Sequence, residues 1–267
     1  PFDFDFFEGK TFEGHTFPQA VDNLVQKYDL QQLTVVADAG MLSKNNLQYL
    51  DEKELDYIVG ARLKNLTKWL TVKIMKHNFM KRPILVLPLK EQKLIVEYSA
   101  TRARKDEINR QRLITKLQQK ITSGKSVVRK SKYINMADKN RIIGIDWVKV
   151  DVDKQFDGLK GYLVNTKNTG SIQEIIDQYH NLWKVEKAFR MSKSDLKQRP
   201  IYHQQERRIK AHLMLCFVSL LVMKEAEVKL ASGEFSVKQA IELLGKVGTG
   251  EVKVGGVQLA TEGEISD

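Results

Sequence analysis

The sequence predicts an α/β protein, a mixed sheet flanked by helices and interrupted by an inserted α+β subdomain. Three observations predict it. Strand-like runs alternate with helical spacings from residue 2 to 63, the alternation stops across a basic stretch at 64–157, and it resumes with a strand and two long helices. Such alternation gives a partly parallel sheet covered on both faces.

Each element has its own signal. Residues 2–7 alternate Phe with Asp, the period of a half-buried strand. In "TFPQAVDNLVQKYD", Phe17, Val21, Leu24, Val25 and Tyr28 recur at helical spacing. "QLTVVADAG" is a short apolar strand ending in Asp38 and broken by Gly40. "NNLQYLDEKEL" reads as a helix and "DYIVGARL" as a strand. Within 64–157, "PILVLPL" and "KLIVEYS" are strand-like. A charged segment follows, with eleven Lys or Arg against two acids between 102 and 132. Leu113, Leu117 and Ile121 give it an apolar stripe, so part of it is a helix with a basic face. "FDGLKGYLVNTKN" restores a strand, "SIQEIIDQYHNLWKVEKAFRMSKSDL" reads as one long helix, and "QERRIKAHLMLCFVSLLVMKEAEVKLA" as a second. The Gly-rich tail from 246 is weakly patterned, strand-like or loose. The expected division is therefore 1–63 as the first part of a core, 64–157 as a basic insertion, 158–245 as the second part, and 246–267 as a tail.

A chain of 267 residues, 42% hydrophobic, can bury a real core. Its net charge of +11 points to a polyanionic partner, nucleic acid before an anionic membrane surface. The single Cys216 can form no disulfide within the chain, which suits a reducing compartment. It lies in "HLMLCFVSLLVM", about a dozen apolar residues where a bilayer needs roughly twenty, so this reads as a core helix and no membrane partner is expected. No secretory signal opens the chain, and "PFDFDFF" reads as the middle of a strand, so a fragment of a longer protein is expected.

Several chemistries are excluded by spacing. "SGKS" at 123–126 has Gln119 where a phosphate-binding loop needs Gly. The five His have no zinc-ligand spacing with Cys216, and there is no Gly-x-Ser-x-Gly elbow. What remains is carboxylate chemistry. Asp38 closes a strand, where open α/β sheets place reactive groups, although a turn-forming or capping Asp has the same appearance. On one uninterrupted helix Tyr179, Leu182, Glu186 and Lys193 would share a stripe, with Arg190 four residues after Glu186 as an ion-pair partner. A solvated charged helix face is the alternative. A strand-end Asp, a distant helix Glu and surrounding cations are together the ingredients of a metal-dependent phosphodiester site, since Mg²⁺ takes carboxylate oxygens and two such ions can clamp attacking and leaving oxygens.

"TVVADAGMLSKNNLQYL", "YIVGARLK", "FDGLKGYLVNTKN" and "YHNLWKVEKAFRMSKSDLKQRPIYHQQERRIKAHLMLCFVSLLV" carry a resemblance to DDE-type bacterial insertion-sequence transposases with a Tyr-x2-Arg-x3-Glu-x6-Lys signature. The resemblance implies an RNase H-like fold with an insertion before the catalytic Glu. It implies Asp38 as the second catalytic Asp and Glu186 as the catalytic Glu, both ligands of two Mg²⁺ ions for which Mn²⁺ can substitute. Tyr179 and Lys193 would contact phosphates of the transposon end, and Leu182 stands where the signature has Arg, leaving Lys184 or Arg190 as substitutes. Arg207, Arg208, Lys210 and the 102–132 segment would bind phosphates whatever the sequence. The partners implied are transposon-end and target DNA, with a homodimer in the DNA complex, and the implied location is the bacterial cytoplasm at the nucleoid. The first catalytic Asp is expected upstream of the chain, Asp3 and Asp5 being read as solvent-facing, so the chain alone is expected to be inactive. The competing expectation is a non-catalytic, DNA-binding remnant of a transposase.

Overall fold

A five-stranded sheet in the order β1-β2-β7-β4-β3 organises the larger part of the molecule. The computed structural model describes residues 3, 5, 7, 13–38, 40, 43–123, 132–138, 141–165, 170–230, 236–245, 250–254 and 257–261. The chain divides into two units, residues 7–182 and residues 183–267 with 1–6, and each is described by itself.

The larger unit begins with α1 (Glu13–Tyr28), three residues ahead of the expected start, then β1 (Thr34–Ala37), α2 (Lys44–Glu52) and β2 (Asp56–Ala61). The Ser43 hydroxyl caps α2 by accepting from the Asn46 N–H, so the helix starts at Lys44, one residue ahead of the expected start. β1 and β2 are parallel, joined by α2 as a helical crossover requires. The other pairings are antiparallel: β7 (Leu159–Asn165) lies between β2 and β4 (Gln92–Tyr98), and β3 (Ile84–Pro88) lines β4. Two strands from within 64–157 thus extend the same mixed sheet.

Period-two alternation decides which helix covers which face. Ile58, Ile95, Tyr162 and Val164 point to one face and meet Ile175, Ile176 and Tyr179 of α6 (Ile172–His180). Their neighbours Tyr57 and Val59 point the other way, onto Phe17 and Val21 of α1 and Leu50 of α2. On that side, Leu94 and Val96 pack on Leu70 and Ile74 of α3 (Lys68–Lys76). At roughly 1.5–3 kcal/mol per fully buried large apolar side chain, these layers are the main stabilising term of the unit.

A satellite core lies under α4 (Ala100–Thr122), where Ile114 and Leu117 pack with Tyr133, Ile134 and Val150. The expected stripe holds, with Leu113 and Ile121 partly buried against it. The partners are a hairpin of β5 (Ile134–Asp138) with β6 (Arg141–Ile145), and α5 (Trp147–Lys154). Gly158 turns the chain into β7 at φ +78°, a conformation that L residues resist.

The second unit carries α7 (Leu182–Ser194, its first residue still in the larger unit), α8 (Glu206–Lys229), α9 (Val237–Leu244) and a hairpin of β8 (Gly250–Val254) with β9 (Val257–Thr261). The hairpin gives the Gly-rich tail the strand structure expected of it. Cys216 is buried in α8, and among the described residues no helix is long and apolar enough to cross a membrane. Two expectations change. The single helix read over 171–196 is two helices, because Asn181 ends α6 before α7 begins, and Asn is a poor interior helix residue. Of the strand read at 2–7, only residues 3, 5 and 7 are described, and they belong to no strand. Residues 124–126 of "SGKS" lie outside the described residues.

Candidate active site

Asp38 is the residue after β1, at the carboxyl end of the parallel β1–β2 pair, and its side chain is exposed. Both neighbouring parallel strands run toward this end, which is where α/β sheets gather reactive groups. The Tyr179 hydroxyl donates to Asp38 Oδ1 at 3.2 Å across 141 positions of sequence. That contact gives the carboxylate a fixed neighbour, which a turn-forming Asp would not need.

Tyr179 is itself well held. It is only 6% exposed, its ring packs 4.8 Å from that of Tyr162, and Lys160 Nζ lies 4.9 Å from the ring centroid. Tyr162, fully buried at the centre of the sheet, donates to Glu97 Oε2 at 2.6 Å and has its hydroxyl 3.1 Å from His180 Nε2. Burial, reinforced by the Glu97 carboxylate, pushes the Tyr162 phenol well above its ordinary value, so it stays a neutral donor. The order runs from the packed centre of β7, through two tyrosine rings tilted at 59° to each other, to the exposed acid at the end of β1. Tyr179 therefore sits in the core beside Asp38.

Glu186 lies on α7, in the other unit, and is exposed, as are Lys184, Arg190 and Lys193. At 100° per residue Glu186, Arg190 and Lys193 fall within about 60° of one another, while Lys184 lies on the opposite side of the helix. The expected Glu186–Arg190 pair is not made. Among the described residues Glu186 enters no ion pair, whereas Lys187 reaches Glu227 at 2.7 Å. An exposed i,i+4 pair is worth only a few tenths of a kcal/mol, too little to hold two long side chains together. Leu182, at the signature's Arg position, is half-buried against the Ile58–Tyr162 core, which explains an apolar residue there. Arg207, Arg208 and Lys210 are exposed on the first turns of α8, Lys210 with Glu206 at 2.6 Å.

The donor chemistry of Asp38 and Glu186, two exposed carboxylates, suits a hard divalent cation. Among the described residues no group of three or more His, Cys, Asp or Glu converges as a metal cluster.

One charged cavity escaped the sequence reading. About 410 Å³ in volume, it opens between α4 and the end of β2, with Lys64, Arg110, Lys132 and Asp153 in its wall. Its acids are already matched. Asp153, 8% exposed, takes contacts from Lys64 and Lys132 and accepts from the Tyr133 hydroxyl at 2.5 Å. Burial opposes the Asp153 charge, but Lys132, Lys64 and Tyr133 outweigh it and bring its pKa down to about 2. Arg110, the one buried cation of α4, donates to Asp157 at 2.5 Å. Asp153 ties α5 to Lys64 in the turn after β2 and to Lys132 ahead of β5, and Arg110 ties α4 to Asp157 ahead of β7, a structural ion network. Only the excess of cations in this stretch hinted at it, because the acids arrive some 50 to 90 residues away in sequence from Arg110 and Lys64.

Comparison with curated proteins and with solved structures returned no match. The mixed five-stranded sheet flanked by helices is the architecture of an RNase H-like transposase domain. The model of the family described as "Transposase DDE domain" matches residues 1–222, and the chain belongs to that family.

Proposed function

We propose that this chain is the catalytic core of a cut-and-paste insertion-sequence transposase, carrying out metal-dependent phosphodiester hydrolysis and strand transfer. The observation that carries the reading is Asp38, an exposed carboxylate at the carboxyl end of a parallel strand pair, held by a buried tyrosine in a chain of the DDE family. Asp38 and Glu186 would hold two Mg²⁺ ions, which when bound supply Lewis-acid activation of a water or a DNA 3′-hydroxyl and stabilise the leaving oxygen. The protein's own part is positional. Tyr179 orients the Asp38 carboxylate from the core, and this use of its hydroxyl adds to the end-DNA contact that the signature assigns it. Lys193, Arg190 and Lys184 would take phosphates of the transposon end from α7, and Arg207, Arg208, Lys210 and the exposed cations of α4 would bind the backbone regardless of sequence. The division into a core at 1–63 and 158–245, an insertion at 64–157 and a tail at 246–267 belongs to this proposal, as does a homodimer on DNA.

A second reading, a DNA-binding remnant without catalysis, is favoured by Leu182, which packs where the signature places a cation. Mg²⁺-dependent nicking and strand transfer on end-containing DNA separates the two. A full-length protein carrying the first catalytic Asp should be active, and Asp38→Ala and Glu186→Ala should each lose at least about a hundredfold, given that barriers rise tenfold per 1.4 kcal/mol. Two variants as active as the parent would remove both residues from the site. A parent that binds DNA but never cuts it would favour the remnant.

A further inference from the structure

Between residues 62 and 90 the sequence has eight Lys or Arg and no Asp or Glu. This is the longest acid-free basic run outside the segments assigned above, and α3 lies at its centre. The helix buries Leu70 and Ile74 against β4, which fixes its rotation. The face turned outward carries Lys68, Trp69, Val72, Lys73 and Lys76, all within about 140° of arc. Trp69 is 55% exposed and Val72 42%. Among the described residues none of the three lysines is in an ion pair, and Lys73 Nζ lies 4.1 Å from the centroid of the Trp69 ring.

These features do not suit a face that only needs solubility. Three unneutralised lysines repel one another along two turns, and a merely solvated face would interleave acids. A large exposed indole among cations is the combination used on phosphate backbones, where ammonium groups take phosphates and the ring covers sugar. From this we infer that the outer face of α3 is a second nucleic-acid surface, binding the sugar-phosphate backbone of duplex DNA without reading its sequence. The inference rests on the DNA-processing reading above and adds to it a contact on the larger unit, apart from α7 and α8.

The salt dependence of duplex binding tests it, because its slope counts phosphate contacts and ignores overall charge. The intact protein is compared with a Lys68→Gln/Lys73→Gln/Lys76→Gln variant and with Lys76→Gln alone, using one duplex of arbitrary sequence and one bearing the element's end. All three side chains are exposed, so folding should be unchanged by circular dichroism. The slope of log affinity against log salt should fall by about 2–3 in the triple variant and about 1 in the single one, equally on both duplexes. Trp69→Ala should weaken binding several-fold and leave the slope unchanged. A parent that binds DNA with a steep slope, matched by an equally steep triple variant, overturns this surface alone. A parent with no salt-dependent affinity for either duplex overturns the DNA-processing reading, and this surface with it.

Discussion

The two units of the chain treat their apolar residues very differently. In residues 7–182 the central strands are closed on both faces, and Tyr57, Ile58, Ile74, Leu94, Val96, Tyr162 and Val164 are all fully buried. In residues 183–267 the buried apolar residues among those described are Met191, Cys216, Leu220 and Val237. Against them stand Trp183, Phe189, Leu215, Val222, Val228, Ile241 and Leu244, each more than half exposed. A sheet with two faces can satisfy long apolar strands from within, whereas a helix packed on one side leaves its other side to find cover.

Five substitutions would break or sharpen this contrast. The largest effect is expected for Ile58→Ala, which empties a fully buried site between α6 and the sheet and should cost about 3–4 kcal/mol in denaturant unfolding. Leu215→Ala, at a site 68% exposed, should stay within about 0.5 kcal/mol. Equal costs would erase the distinction between the units.

Removing the central acid of the ion network comes next. Asp153→Ala leaves Lys64 and Lys132 facing each other without their shared carboxylate, and should cost about 2–3 kcal/mol. The same group sets an acid limit. Its pKa is lowered from 3.8 to about 2, so the stabilisation is complete above the ordinary carboxylate range and is lost as pH falls from about 4 to about 2. Over that window the parent should lose roughly 2 kcal/mol more than Asp153→Ala does, and parallel acid curves for the two would refute the network's role.

The smallest pair compares two glycines. An alanine at Gly158 would combine a φ of +78° with a Cβ 2.7 Å from the Tyr98 ring and 2.8 Å from the Ser99 carbonyl, so Gly158→Ala should cost about 1–3 kcal/mol. Gly245, which ends α9 at φ −66°, has an ordinary helical conformation, and Gly245→Ala should stay within about 0.5 kcal/mol either way. If Gly245→Ala proved the costlier, the smaller unit would be the tighter one.

Much of the larger unit was legible in its sequence, for reasons that differ by element. β1, β2, β4 and β7 are apolar runs bounded by turn residues, and α1, α2 and α4 repeat apolar residues often enough to declare a period. α3 was not legible, because "KWLTVKIMK" is short and rich in β-branched and aromatic residues, and only its packing on β4 makes it a helix. The β5–β6 hairpin, α5 and α9 are likewise brief. At the site, Asp38 could be picked out because a strand-end acid is a local feature. The tyrosine that holds it could not, since which face Tyr179 presents depends on where α6 ends, and the break at Asn181 follows from no strong signal. Glu186 was legible as a motif position, but its lack of a cation partner among the described residues was not.

The place of β7 has a consequence for synthesis. It is the last strand of its sheet to be made and lies in the middle, between β2 and β4. Until it emerges, the ribosome has released two half-sheets, each with a bare inner edge of unpaired amides and carbonyls. About 60 residues separate β4 from β7, so at roughly 5–20 residues per second those edges wait several seconds for their common neighbour. The intervening chain is highly charged α4 and its partners, and charge of that kind disfavours pairing with the wrong strand through the interval when the edges are open.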